Sequence, residues 1–77
     1  MRYLTCGRQF RSITDARTYV IKSHELRYKS WKEKIYHVNK YGIFLSGTVI
    51  YDGYRKELYW QTEKGTARVT KTGHVWY

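Results

Sequence analysis

Along the first half of the chain, Arg8, Arg11, Arg17, Lys22, Arg27, Lys29, Lys32, Lys34 and Lys40 alternate with Tyr19, Tyr28, Trp31 and Tyr36. Cations of this kind neutralise phosphates and release their counterions, and aromatic rings offer stacking surfaces, so the combination suits a polyanion. The densest part is Arg27-Tyr28-Lys29-Ser30-Trp31-Lys32-Glu33-Lys34, with two large aromatics among four cations. Solubility alone would account for the charge but not for a Trp and a Tyr set among it. The expected phosphate contacts are Arg17, Lys22, Arg27, Lys29, Lys32 and Lys34, with Tyr28 and Trp31 as stacking platforms. Base-specific recognition has no motif behind it.

Catalysis needs a nucleophile with a base, a carboxylate pair or a metal triad. His24, His37 and His74 are far apart, the six acids are scattered singly, and no glycine-rich phosphate loop is present. A non-enzymatic protein without cofactor or metal is therefore expected.

Tyr3-Leu4-Thr5-Cys6-Gly7-Arg8-Gln9-Phe10, followed by a helix ending near His24, resembles the second half of a zinc-finger pattern. Tyr3 stands where that pattern has its first cysteine, and two ligands cannot close a four-ligand site. Cys6 then reads as a small buried hydrophobe and His24 as a surface side chain. Lys40-Tyr41-Gly42-Ile43-Phe44-Leu45 is partly similar to the basic-Gly-aromatic strand of RNA-recognition motifs, whose exposed aromatics stack bases. That fold needs a second long helix, and only strands and turns are expected after Gly42. The closing Gly73-His74-Val75-Trp76-Tyr77 is similar to the last strand of RelE/ParE-type ribonuclease toxins, which implies His74, Arg68 and Tyr77 as the residues to test.

In size and composition the chain also resembles small early proteins of bacteriophages and mobile elements, including anti-CRISPR and other anti-defence inhibitors. Such proteins occlude a host protein, and Tyr, Trp and Arg dominate hot spots of that type. This implies a basic face docked on an acidic surface of a host protein, with Tyr54, Tyr59, Trp60, Trp76 and Tyr77 as anchors.

The elements that must position these residues belong to one domain, residues 1–77. Fifteen Lys and Arg against six Asp and Glu give a net charge of +9, and hydrophobic residues make up 42% of the chain. Its length leaves room for one modest core and no deep active site. Residues 1–40 carry ten basic and three acidic side chains and residues 41–77 five and three, so +7 of the charge lies in the first part and +2 in the second. A single cysteine, no signal-like apolar run and no membrane-length stretch point to a cytoplasmic protein without membrane contact.

A short strand is expected at 3–6, stopping at Gly7, with Phe10 an isolated apolar anchor. A helix should start at Ser12, whose Asp15 three residues on has capping-box form, or at Thr14, and end between Ser23 and Trp31. Ala16, Tyr19, Val20 and Ser23 would be its packing face, with Arg17, Lys22 and His24 opposite. Strands follow at 34–39, 43–51, 54–62, 66–71 and 74–77. Asp52-Gly53 favours a two-residue turn that sets Tyr51 opposite Tyr54. Ile43, Leu45, Val49, Tyr51, Tyr54, Leu58 and Trp60 then share a core face, leaving Phe44, Ser46, Thr48, Ile50, Arg55, Glu57, Tyr59 and Gln61 on the other. The expected fold is α+β, one helix packed on a four- to five-stranded antiparallel meander sheet. Its last strand is a candidate edge for pairing with a second copy as a homodimer.

Three functions follow in order: contact with nucleic acid, DNA or RNA, through its phosphates with little sequence specificity; inhibition of a host protein; and RNA cleavage.

Overall fold

The computed structural model describes residues 2–24 and 29–76. The elements are β1 (Arg2–Thr5), β2 (Arg8–Phe10), α1 (Ile13–Ser23), β3 (Trp31–Asn39), β4 (Gly42–Asp52), β5 (Glu57–Thr62), β6 (Gly65–Val69) and β7 (Val75–Trp76). The strands form one antiparallel sheet in the order β2-β1-β3-β4-β5-β6-β7. The α+β class agrees with the sequence, but the sheet has seven strands where four or five were expected.

Residues 8–10 account for one unforeseen strand. Cys6 (φ 52°) and Gly7 (φ 72°) are both left-handed, the geometry of a tight hairpin turn, so the chain folds straight back and Phe10 pairs with Tyr3. Three residues are too few to show an alternation. β3 begins at Trp31, because Trp31, Glu33 and Ile35 take one side of the pleat while Lys32 and Lys34 take the other. What reads as a charge run is a strand of period two.

Ser12 caps α1: its hydroxyl accepts the amides of Thr14 and Asp15 at 3.1 and 3.4 Å. The buried residues of α1 are Ala16, Arg17, Val20 and Ile21, so its packing face is turned from the expected one. Tyr19 is half-buried against Phe10, with ring centroids 5.3 Å apart, and Ser23 is exposed. The core joins Ala16, Val20 and Ile21 to Ile35, Val49, Tyr51, Leu58, Trp60 and Val69 of the sheet. Burial of each large aliphatic side chain contributes about 1.5–3 kcal/mol.

Two registers differ from expectation. Tyr51 faces Leu58 and not Tyr54, because residues 53–56 form a four-residue loop. The Asp52 carboxylate accepts the amides of Tyr54 and Arg55 at 2.9 and 3.2 Å, and the Gly53 amide donates to the Ser30 hydroxyl at 2.9 Å. A displacement of four keeps the same residues inward but expels Tyr54, which is 97% exposed. In β4, Ile35 pairs with Gly47 while Tyr36 pairs with Leu45, leaving Ser46 as a bulge. Beyond that extra residue the faces exchange. Leu45 and Ile43, expected in the core, are therefore exposed on the side away from α1, and Phe44 stacks on His37 on the helix side.

Candidate functional site

The helix lies on one side of the sheet, and the registers place a different set of side chains on the other. One row crosses five strands as Lys32, Ile50, Tyr59, Arg68 and Trp76. A second runs Lys34, Thr48, Gln61 and Thr66. Beyond the bulge come Leu4, Tyr36 and Leu45, then Arg2, Val38 and Ile43. Every residue of these rows is exposed or half-buried. Alternation along the strands is what gathers them on one face.

The face divides into an apolar end and a basic, aromatic end. At the basic end the Arg68 guanidinium lies 5.5 Å from the Tyr59 ring centroid and 5.7 Å from that of Trp76. The Tyr59 phenol donates to Glu57, and Arg68 stands 3.6 Å from the same carboxylate. That hydrogen bond is the main reason the Tyr59 phenol is held above its ordinary pKa. Toward β1 the surface hollows into a concavity of about 630 Å³ lined by Leu4, Cys6, Lys32, Lys34, Tyr36 and Gln61, among others. Lys32 and Lys34 are exposed at its rim.

The residues expected to bind phosphate are divided by the fold. Lys32 and Lys34 stand on the open face, exposed Lys22 belongs to the last turn of α1, and Lys29 is exposed just before β3. Arg17 is not a surface cation. It is 6% exposed, donates to the Gly73 carbonyl at 2.7 Å and lies 4.9 Å over the Trp60 ring. Trp31 points to the helix side, stacked on His24 at 4.2 Å and Tyr51 at 5.8 Å, so it is not a free platform. Arg27 and Tyr28 lie outside the described residues.

Among the alternative anchors, Trp60 is a core residue at 6% exposure, and Tyr77 lies outside the described residues. Tyr54 is fully out on its loop, Tyr59 is half-buried and Trp76 is 53% exposed. His74 stands in the β6–β7 turn, and Arg68 belongs to the aromatic row. Tyr36, Arg68 and the row itself were present in the sequence, but only a period-two reading of β3 joined to the registers of four strand pairs reveals them.

Cys6 and His24 meet a common carboxylate: the thiol donates to Glu33 Oε1 at 3.4 Å, and His24 Nε2 lies 3.3 Å from the same atom. Cys6 is thus exposed and hydrogen-bonded and not a buried hydrophobe, and His24 is half-buried against Trp31. Partial burial and then the Glu33 carboxylate push the thiol up, while the Thr5 hydroxyl opposes them. Among the described residues no three His, Cys, Asp or Glu are placed to hold a metal ion. Nor is any described helix long and apolar enough to cross a membrane.

No protein-family model matches the chain, and neither a characterised protein nor a solved structure matches it.

Proposed function

We propose that this protein is a small basic binding protein, not an enzyme, that contacts nucleic acid phosphates with little sequence specificity through the open sheet face. The observation that carries the reading is the placement of Lys32 and Lys34 side by side on that face, with Arg68 in the row of Lys32. The nearest carboxylate of the Arg68 row, Glu57, is already engaged by Tyr59 and Arg68. Positive potential over a sheet surface attracts phosphates, and Glu33, the acid that also lines the concavity, is engaged by Cys6 and His24.

The test is fluorescence anisotropy of labelled DNA and RNA, single-stranded and duplex, at several salt concentrations. Each phosphate neutralised on a duplex adds about −0.9 to the log–log salt slope. Lys32→Gln and Lys34→Gln each make that slope shallower by about 0.9, across all sequences alike. Absence of binding by every form at physiological salt overturns the reading.

A second reading draws on the exposed apolar side chains at both ends of the face and on the β4–β5 loop. Ile43, Leu45, Tyr54 and Trp76 are exposed beside a basic surface, which suits an inhibitor that covers an acidic host-protein surface. Truncating Trp76 or Tyr54 would then cost more affinity than loss of a lysine.

A further inference from the structure

We infer that the open face takes single-stranded nucleic acid, laid along the Lys32–Ile50–Tyr59–Arg68–Trp76 row, with bases stacked on Trp76 and on Tyr36 in the adjoining concavity. This rests on the nucleic-acid reading and narrows it from phosphate binding to one form of the ligand.

Shape is the first argument. A duplex is read by a helix or a two-stranded ribbon inserted into a major groove about 12 Å wide. Seven strands spaced by about 4.8 Å span nearly 29 Å, so this face cannot enter a groove and can touch a duplex only along its backbone. A single strand instead lies down on a sheet and turns its bases toward it.

The second argument is the pairing of cations with rings. In a duplex the base faces are occupied by their neighbours, and exposed rings on the protein find nothing to stack on. Here Trp76 is exposed at the end of the row, and Tyr36 lies between Leu4 and Leu45 in the row next to the lysines. The charge beside them complements a polyanion: Lys32 and Lys34 precede Tyr36 on the same face of β3, and Arg68 is held against Trp76 and Tyr59. An arginine oriented by two rings presents a plane on which a base can stack, while its charge is shared with Glu57 at 3.6 Å. Gln61 and Thr48, which line the same concavity, supply donors and acceptors for sugar or base edges. At about 630 Å³ the concavity falls in the range of small-ligand sites, large enough for one nucleotide.

Binding of a labelled single strand of about 12 nucleotides, inside the site sizes known for sheet-type binders, is compared with binding of the same sequence as duplex. The single strand is expected to bind at least tenfold tighter. Tyr36→Ala and Trp76→Ala should each weaken it by roughly five- to a hundredfold, the range that stacking gives, with the salt slope unchanged. Trp76→Phe should restore most of the loss. Circular dichroism melts verify that the variants fold, and the intact protein gives an independent readout: single strand quenches a tryptophan signal that is absent in Trp76→Phe. Duplex bound as tightly as single strand, with Tyr36 and Trp76 dispensable, overturns the single-strand inference and leaves phosphate binding standing. Failure of both forms to bind overturns both.

Discussion

Arg17 donates its Nε–H to the carbonyl oxygen of Gly73 across 2.7 Å, joining the helix to the turn between β6 and β7. Around this bond the Thr18 hydroxyl lies between the carbonyls of Thr14 and Thr72, at 2.8 and 2.6 Å. Gly73 has φ 86°, and a Cβ there would run into Thr14 and Thr18. The last turn of the chain is therefore pinned under α1, which also fixes β7 and so Trp76 of the open face.

Arg17→Ala should cost about 2–4 kcal/mol in urea denaturation, since it removes a charged hydrogen bond and a buried cation–ring contact. If Arg17 served as a surface phosphate contact, the substitution would change salt-dependent binding and barely touch stability. The expected outcome is the reverse.

Gly47 faces the Trp60 indole, whose ring would overlap a Cβ at that position. Gly47→Ala is expected to destabilise by about 1–3 kcal/mol through overpacking. In a Trp60→Leu background the same change should cost less, by a coupling of about 0.5 kcal/mol or more. Equal costs in both backgrounds would remove the ring contact as the reason for glycine.

The bulge at Ser46 makes a sharper test of the register. With Ile35 on Gly47 and Tyr36 on Leu45, deleting Ser46 closes the ladder without moving any other β4 side chain to a new face. The lost contact is the 2.8 Å bond between Ser46 Oγ and His37 Nδ1, so the cost should be about 1 kcal/mol. A cooperative thermal melt close to that of the parent is expected; global unfolding would show that the extra residue sets more than a local kink.

What could be read from the sequence was local. Ser12 marked the start of α1, glycines marked turns, and alternation marked β4 and β5. The missing parts depend on contacts distant in sequence. Asp52-Gly53 opens into a longer loop partly because Ser30 takes the Gly53 amide, and Arg17 is buried because its partners are Gly73 and Trp60. Nothing in Ile43-Phe44-Leu45-Ser46-Gly47 distinguishes a bulged strand from a straight one, yet the bulge decides which half of β4 is exposed. Of the candidate face, Lys32 and Lys34 were legible as cations. Their alignment with Tyr59, Arg68 and Trp76 required the registers of β3 through β7.

Tyr59 should ionise later than an ordinary tyrosine, because its phenol donates to the Glu57 carboxylate. The folded value lies above the unfolded one, so this contribution to stability is present below the unfolded pKa and is lost as pH rises through the folded pKa. Ultraviolet titration of the phenolates should contain a late component that disappears in Tyr59→Phe and moves earlier in Glu57→Gln. An unchanged curve in both variants would refute the bond.

Cys6 is exposed, yet its thiol is pushed up by partial burial and by Glu33, to which it donates at 3.4 Å. The thiolate is the reactive form, so alkylation by iodoacetamide at neutral pH should be slower than for an unstructured cysteine peptide. Glu33→Gln removes the negative charge and should accelerate the reaction, whereas Thr5→Ala removes the hydroxyl that favours the thiolate and should slow it further. The rate should rise with pH through a midpoint above that of the peptide. A midpoint equal to the peptide's, unmoved by Glu33→Gln, would mean that the carboxylate does not govern the thiol and that the Cys6–Glu33–His24 cluster is only a surface contact.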